Sequence, residues 1–315
     1  MVESTVAATH AVVSFDVALN GIVWGWMITL NMWAKSIGTG VIMVGAYMLY
    51  KYSKDKIPNV RWLMPIISFV ALNVFLLFTL LDLHQPLRMV NIFFHPHFTS
   101  AITVGAWMAS LFTGLVTLLA AIGLLDYMPN LLRSNKTAKK VRANSGLYEK
   151  LLPYIVFLAL PVTMYTAIIM AQSSARGLWE APIEMAQMML AAIMAGSATL
   201  LIVAESWGKE PRARIAMILA VTVAISFTLY MGEYFFSFKN SEVEATLAFI
   251  HLGGSYSFEF WFAMIVGYII PFALVTNSVK EDNYTLLRFA GILALIGLYF
   301  AKDVWLKIPQ LLPLS

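Results

Sequence analysis

Eight stretches of roughly 20 mainly apolar residues, each bounded by charged or turn-forming residues, account for most of the chain. A helix needs about 20 such residues to cross the hydrocarbon core of a bilayer, where only helices and closed barrels satisfy every backbone hydrogen bond. The sequence therefore predicts an all-α, polytopic membrane protein with a single transmembrane domain over residues 1–315. The predicted spans are 24–50, 62–82, 101–125, 150–172, 182–205, 212–236, 255–279 and 285–301.

Composition narrows the chemistry of such a chain. Hydrophobic residues make up 60% of it and there is no cysteine, so it cannot itself ligate an iron–sulfur cluster or a thiolate-bound haem. All five histidines fall in predicted loops or at helix ends, which argues against a transmembrane bis-histidine haem, and the HPH spacing at 95–97 is a weak metal signal. From these residues we expect no metal site in this chain. We also expect no nucleic-acid partner, because the net charge of +4 is better explained by Lys and Arg in cytoplasmic loops.

The distribution of Lys and Arg predicts the topology. The connections 51–61, 126–150, 206–214 and 280–288 hold 15 of these residues, whereas the opposite side holds 5, among them Lys302 and Lys307 after the last predicted span. The richer set is expected in the cytoplasm, which places both termini on the extracytoplasmic side of the cytoplasmic membrane. The outward loop 83–100 is then a candidate docking surface for an extracytoplasmic partner. Residues 10–22 either lie at the interface or extend the first span.

The first span carries an isolated charge. Between Ala11 and Tyr50 the only charged side chains are Asp16 and Lys35. At ~1.5 Å per residue from Trp24, Lys35 lies roughly 16 Å deep, far enough that a bundle-facing position is favoured over snorkelling to the surface. Such a lysine would pair with a carboxylate or line a hydrated proton route.

Four polar residues from four different predicted helices share the outer half of the membrane: Asn31, Asp82, Tyr165 and Glu233. An amide, two carboxylates and a phenol beside apolar walls suit a quinone. Its isoprenoid tail needs hydrophobic surface, its two ring oxygens need hydrogen-bond partners, and its redox chemistry moves two protons. Asn31 and Lys35 are four residues apart and so lie on one helix face.

Each of these residues also has a purely structural interpretation. Tyr165 could be a buried aromatic residue with a satisfied hydroxyl, and Asp82 with Arg88 could form a helix cap and surface ion pair. Glu184 and Glu205 lie near predicted helix ends and are interpreted as solvated charges.

Four parts of the chain carry recognisable motifs. They are DLHQPLRMVNIFFHPHFTSAITVGAW (82–107), WGWMITLNMWAKSIGTG (24–40), YTAIIMAQSSARGLWEAPIEMAQMMLAAIMAGSATLL (165–201) and, within 231–261, MGEYFF and HLGGSYSFEFW. In their order along most of the chain these segments resemble the membrane-anchor family of polysulfide reductases and NrfD-type proteins, which have an Asp-Leu-x-x-Pro-x-Arg stretch followed by His-Pro-x-x-Ser/Thr-Ser and Gly-Ala-Trp.

The resemblance implies a quinone-reactive subunit with eight helices in two four-helix bundles. It implies electron transfer between membrane menaquinol and an extracytoplasmic iron–sulfur subunit with four cubane clusters, which serves a molybdopterin catalytic subunit. By the same resemblance Asp82 is the acid at the end of the second helix, Tyr165 the quinone-site tyrosine and Glu233 the acid of the Gly-Glu motif. Asn31 stands where the family has a polar quinone contact of variable type. Lys35 has no counterpart, because the family is apolar there.

These observations leave three functional hypotheses. In the first, quinol binds near Asn31, Tyr165, Asp82 and Arg88, and its protons leave through Asp82 and Glu233 with Lys35 assisting. In the second, the chain is a proton or ion translocator without redox function, with a path along Lys35, Glu233 and Glu259. In the third, it is a structural anchor. The terminal substrate, the direction of electron flow and the oligomeric state are not predicted.

Overall fold

The computed structural model of the chain describes residues 22–83, 85–236 and 241–312. Apart from Ile22, the undecided stretch 10–22 lies outside these residues. Within the described ranges the chain is all-helical and contains no strand. Eight helices are long and apolar enough to cross a membrane, which confirms the predicted all-α, multi-pass architecture.

The eight spanning helices follow one another along the chain, and some of the connections contain short helices. They are α1 (Trp26–Lys51), α2 (Val60–Asp82), α3 (Ala101–Tyr127), α4 (Leu147–Ala171), α5 (Ala181–Ile202), α6 (Lys209–Phe235), α7 (Ser257–Ser278) and α8 (Tyr284–Lys307). Most ends agree with the predicted spans to within about three residues. The exception is α8, which runs to Lys307 rather than to residue 301.

Helix α1 is the most enclosed of the eight, because it packs against α2, α4, α5 and α8. Its contact with α5 is unusually close: a Cβ added at Gly40 would lie 1.8 Å from the carbonyl oxygen of Ala192. Only glycine permits such backbone approach, and small residues are the usual means of close helix packing in membranes. Each helix also packs against its neighbours in sequence. The arrangement of these helices as two four-helix bundles stays a prediction.

Helix α7 is irregular in its middle. Residues Ala263–Ile269 form a π-helical segment just before Pro271, which lacks a backbone N–H donor. Gly267 in this segment meets Gly297 of α8, where an added Cβ would lie 2.0 Å from the Gly267 Cα. The π turn and the two glycines together let α7 approach α8 closely.

The helix ends on the predicted cytoplasmic side are joined by charged side chains. Arg61 in α2 pairs with Asp126 near the end of α3 at 3.1 Å and with Glu149 in the first turn of α4. Its guanidinium lies 4.2 Å from the centroid of the Tyr148 ring. These contacts connect three helices at one level, which fixes how far each extends.

A second arginine, Arg212, bonds to the backbone that follows the end of α5. Arg212 in α6 forms two 3.0 Å bonds to the carboxylate of Asp282 and donates to the carbonyl oxygens of Ala204, Glu205 and Trp207. These carbonyls follow the end of α5, where they have no intrahelical donor. The guanidinium supplies the missing donors.

Candidate functional site

Lys35 lies inside the helix bundle. Its side chain is 1% exposed, and its Nζ donates a hydrogen bond to Oγ1 of Thr166 in α4. The same nitrogen lies 4.4 Å from the centroid of the Tyr165 ring, which is cation–π geometry. Among the described residues no carboxylate lies within ion-pair distance of this ammonium. A hydroxyl and an aromatic face therefore take the place of the carboxylate partner that the sequence suggested.

The ring of Tyr165 has a defined position between α1 and α3. A Cβ added at Gly105 would lie 2.3 Å from Cδ2 of this ring, so the ring rests directly on the glycine backbone. Gly105 belongs to the Gly-Ala-Trp segment of the sequence. The absence of a side chain there leaves space for the tyrosine beneath Lys35.

Asn31 joins α1 to α2. Its Nδ2 donates to the carbonyl oxygen of Phe75 at 2.9 Å and to Oγ1 of Thr79. Thr79 lies three residues before Asp82, the half-buried last residue of α2. Arg88 follows in an exposed 3₁₀ turn, Pro86–Val90. The structure thus places Asn31 and Asp82 along one interface at the same end of the bundle.

Glu233 is separated from this group. It is half-buried near the end of α6, which packs chiefly against α5, α7 and α8. Its carboxylate interacts electrostatically with that of Glu184 in α5. The structure therefore brings Lys35 and Tyr165 into contact and sets Asn31 one helical turn from Lys35, with Asp82 farther along α2. Glu233 lies on a helix that packs elsewhere in the bundle.

Two charged residues were misplaced by the sequence interpretation. Glu184 is not solvated: it is 1% exposed and accepts a 2.9 Å hydrogen bond from Nε1 of Trp305. Lys302 does not lie in an outer connection either, because it is 4% exposed within α8. The helix continues past Ala301 since its inward face is apolar and Asp303 pairs with Lys307 one turn on, at 2.6 Å. Glu205 is exposed, as interpreted.

The i, i+4 pair Asp303 and Lys307 was the signal that could have revealed this longer helix. It flanks the apolar triplet Val304-Trp305-Leu306, a pattern typical of helix rather than of a terminal loop. No comparable local signal marks the burial of Glu184, which depends on the distant Trp305.

A cavity of about 20 Å³ lies between α1, α4, α5, α6 and α8. It has room for a small number of water molecules but not for a quinone ring. Its walls hold an ammonium, a carboxylate, an amide and a phenol among methionine and aromatic side chains. They are Met32, Met170, Glu184, Gln187, Met188, Tyr230, Lys302, Trp305 and Leu306.

Tryptophan side chains pack over the end of the bundle near this cavity. Trp24 and Trp179 stack with their ring centroids 5.5 Å apart, and Nε1 of Trp179 donates to the Trp305 carbonyl oxygen at 3.3 Å. The side chain of Gln310 accepts hydrogen bonds from the backbone nitrogens of Val23 and Trp24 at 3.1 and 2.9 Å. These contacts cover one end of the polar interior.

The sequence model of the family described as polysulphide reductase, NrfD, matches residues 17–310, nearly the whole chain. No curated protein matches the chain. Subunits of this family are quinone-reactive membrane components of polysulfide- and molybdopterin-reductase-type complexes and normally pair with iron–sulfur and molybdopterin subunits. The chain belongs to the polysulphide reductase NrfD family of membrane subunits.

Proposed function

We propose that this chain binds menaquinol and passes its electrons to an extracytoplasmic iron–sulfur subunit, which serves a molybdopterin catalytic subunit. The observation that carries the proposal is the contact of the buried Lys35 ammonium with the Tyr165 ring in a chain of this family. We place the protein in the cytoplasmic membrane, with both termini on the outer side, on the distribution of Lys and Arg.

The donor chemistry of this region fits a quinone. The phenolic hydroxyl of Tyr165 and the ammonium of Lys35 can each donate a hydrogen bond to a ring oxygen, and the amide of Asn31 lies one helical turn from Lys35. The bound quinone supplies a two-electron, two-proton couple, while the protein orients the ring and takes up protons. We assign the ring to the side of Asn31 and Tyr165 because these polar groups lie there together with Lys35.

In this proposal Asp82 and Arg88 lie where protons leave the quinone site for water and where the partner subunit docks. Asp82 ends α2 at the bundle surface and can accept a proton that leaves the quinone site. The following segment exposes large apolar side chains, Leu87 at 90% and Phe94 at 76%. In the predicted topology this segment faces outward, where a docked iron–sulfur subunit would cover it. His84, also in this loop, lies outside the described residues.

A titration of the purified protein with a fluorescent quinol-site inhibitor tests this function. We expect saturable quenching near one site per chain, weakened by Tyr165→Phe and by Asp82→Asn. Tyr154→Phe is the matched control, because Tyr154 lies on the same helix and is 71% exposed. Absence of quenching by the folded wild-type protein would contradict the proposed redox function.

Translocation of protons or ions without redox chemistry is the second candidate. The buried charges Lys302 and Glu184 at a water-sized cavity favour it, together with the buried charge of Lys35 on α1. Glu259, half-buried in the first turn of α7, extends the possible path. Flux of protons or cations into liposomes in the absence of quinone would support this function over the first.

A further inference from the structure

Two ionisable side chains from different helices, Lys302 on α8 and Glu184 on α5, line one cavity. The same cavity is lined by Met32, three residues before Lys35 on α1, and by Tyr230, three residues before Glu233 on α6. Lys35, Lys302, Glu184 and Glu233 are called the row below, with two basic groups at one end and two acids at the other, and the electrostatic influence between successive members agrees with this order. The first member contacts Tyr165, and the last is the carboxylate that the fold separates from the quinone site.

The two central groups face the same cavity but do not touch. Within the described ranges the Glu184 carboxylate and the Lys302 ammonium form no ion pair of 4.0 Å or less. Instead Lys302 donates to Sδ of Met188 at 3.4 Å, a weak acceptor, and Glu184 accepts from Trp305. A buried charge without strong partners is costly, so water in the shared cavity is the expected link between the two groups.

We propose that Lys302 and Glu184 form a water-bridged proton-transfer pair that connects the quinone site at Lys35 with Glu233. The inference rests on the proposed quinone-reactive function. The proposal assigns a role to Lys302 and Glu184, which lie outside the predicted site. It also connects Glu233 with the quinone, although α5 and α8 lie between them.

The transfer is a displacement of one proton along the row. Lys302 gives its proton through the cavity water to Glu184, and Glu184 then gives a proton to the Glu233 carboxylate. Lys35 then protonates the Lys302 amine, and the quinol in turn protonates Lys35. Of the two quinol protons one follows this row and the other leaves by Asp82, while both electrons go to the proposed iron–sulfur partner. The pair has zero net charge both as carboxylate with ammonium and as acid with amine.

The test uses the complex purified through a tag on this chain, reduced menadiol as electron donor and an artificial dye as acceptor. We expect Glu184→Gln and Lys302→Met each to slow turnover at least about 100-fold, the lower end of the range for loss of an acid–base group. Inhibitor affinity in the same variants should stay within about twofold of wild type. The matched control pair is Lys56→Met and Glu210→Gln, an exposed ion pair of 2.9 Å, which should leave turnover unchanged.

The double variant Lys302→Met with Glu184→Gln guards against misfolding, because it removes both charges at the cavity and leaves neither of them without its counterpart. The proton-transfer pair is supported if the double variant binds inhibitor normally and turns over slowly. It also requires that Glu184→Asp, which keeps the carboxylate, turns over faster than Glu184→Gln. Wild-type turnover in the double variant would overturn the pair and leave the quinone site standing. Failure of the wild-type complex to bind inhibitor would overturn the proposed function, and the pair with it.

Discussion

The Nζ atom of Lys35 lies 4.4 Å from the centroid of the Tyr165 ring and is hydrogen-bonded to Thr166, the next residue of α4. The contact joins two helices that are more than 100 residues apart in sequence. It holds a cation against the face of a tyrosine in the interior, where the interaction is stronger than at an exposed site. The first three predictions follow from this relationship.

Tyr165→Phe removes one hydroxyl and almost no volume. The ring would still rest on Gly105 and face Lys35, so we expect the protein to assemble normally. Loss of one hydrogen bond to the quinone should weaken inhibitor binding by about 2- to 10-fold, corresponding to ~0.5–1.5 kcal/mol. Fluorescence titration measures this, and affinity equal to that of Tyr154→Phe would remove Tyr165 from the quinone site.

Lys35→Met keeps the side-chain length and deletes the charge. If Lys35 takes part in proton movement as well as binding, turnover should fall much further than inhibitor affinity, which loses at most one hydrogen bond to the ring. Because the variant no longer buries an ammonium, its melting temperature should not decrease. Steady-state turnover and a thermal shift measurement test both statements. A more stable variant with full activity would show that the charge is merely tolerated.

Gly105→Ala should act on the quinone site through Tyr165. The added methyl group would lie 2.3 Å from the tyrosine ring, so the ring must move away from its position beneath Lys35. We expect inhibitor affinity to fall at least as much as in Tyr165→Phe. Gly114→Ala is the control on the same helix, because an added Cβ there meets nothing within 4 Å. Equal affinities for the two alanine variants would show that ring position does not matter.

Arg212→Ala should destabilise the protein strongly. The guanidinium is buried and serves the Asp282 carboxylate and three carbonyl oxygens after α5, all of which would lose a donor. Breaking one side of a buried pair typically costs about 3–5 kcal/mol, so a large fall in melting temperature in detergent is expected. Arg214→Ala, two residues on and exposed, is the comparison and should melt close to wild type.

The cysteine-free sequence allows the topology to be tested cleanly. Single cysteines can be placed at the exposed positions Gln85 and Ser134, on opposite predicted sides of the membrane. In intact cells a membrane-impermeant maleimide should label Gln85→Cys and should reach Ser134→Cys only after permeabilisation. The reverse pattern would invert the proposed orientation and put segment 83–100 in the cytoplasm.

What the sequence determined by itself was the number and approximate limits of the spanning helices. A run of about 20 apolar residues must be helical in a bilayer wherever it packs, because the backbone has no other hydrogen-bond partners there. The burial of Lys35 could be inferred for the same reason, since no surface lies within easy reach of its side chain. The motifs within residues 17–310 likewise identified the family before any packing was known.

Only the tertiary structure decided which polar groups meet. The partners of Lys35 and Glu184 come from other helices, Thr166 and Trp305, and no local pattern specifies them. The burial of Lys302 also depended on packing, because only the folded bundle places this side chain at a cavity that Glu184 shares. Hydropathy is a property of neighbouring residues in the chain, whereas compensation of a buried charge requires groups that the fold brings together from distant positions.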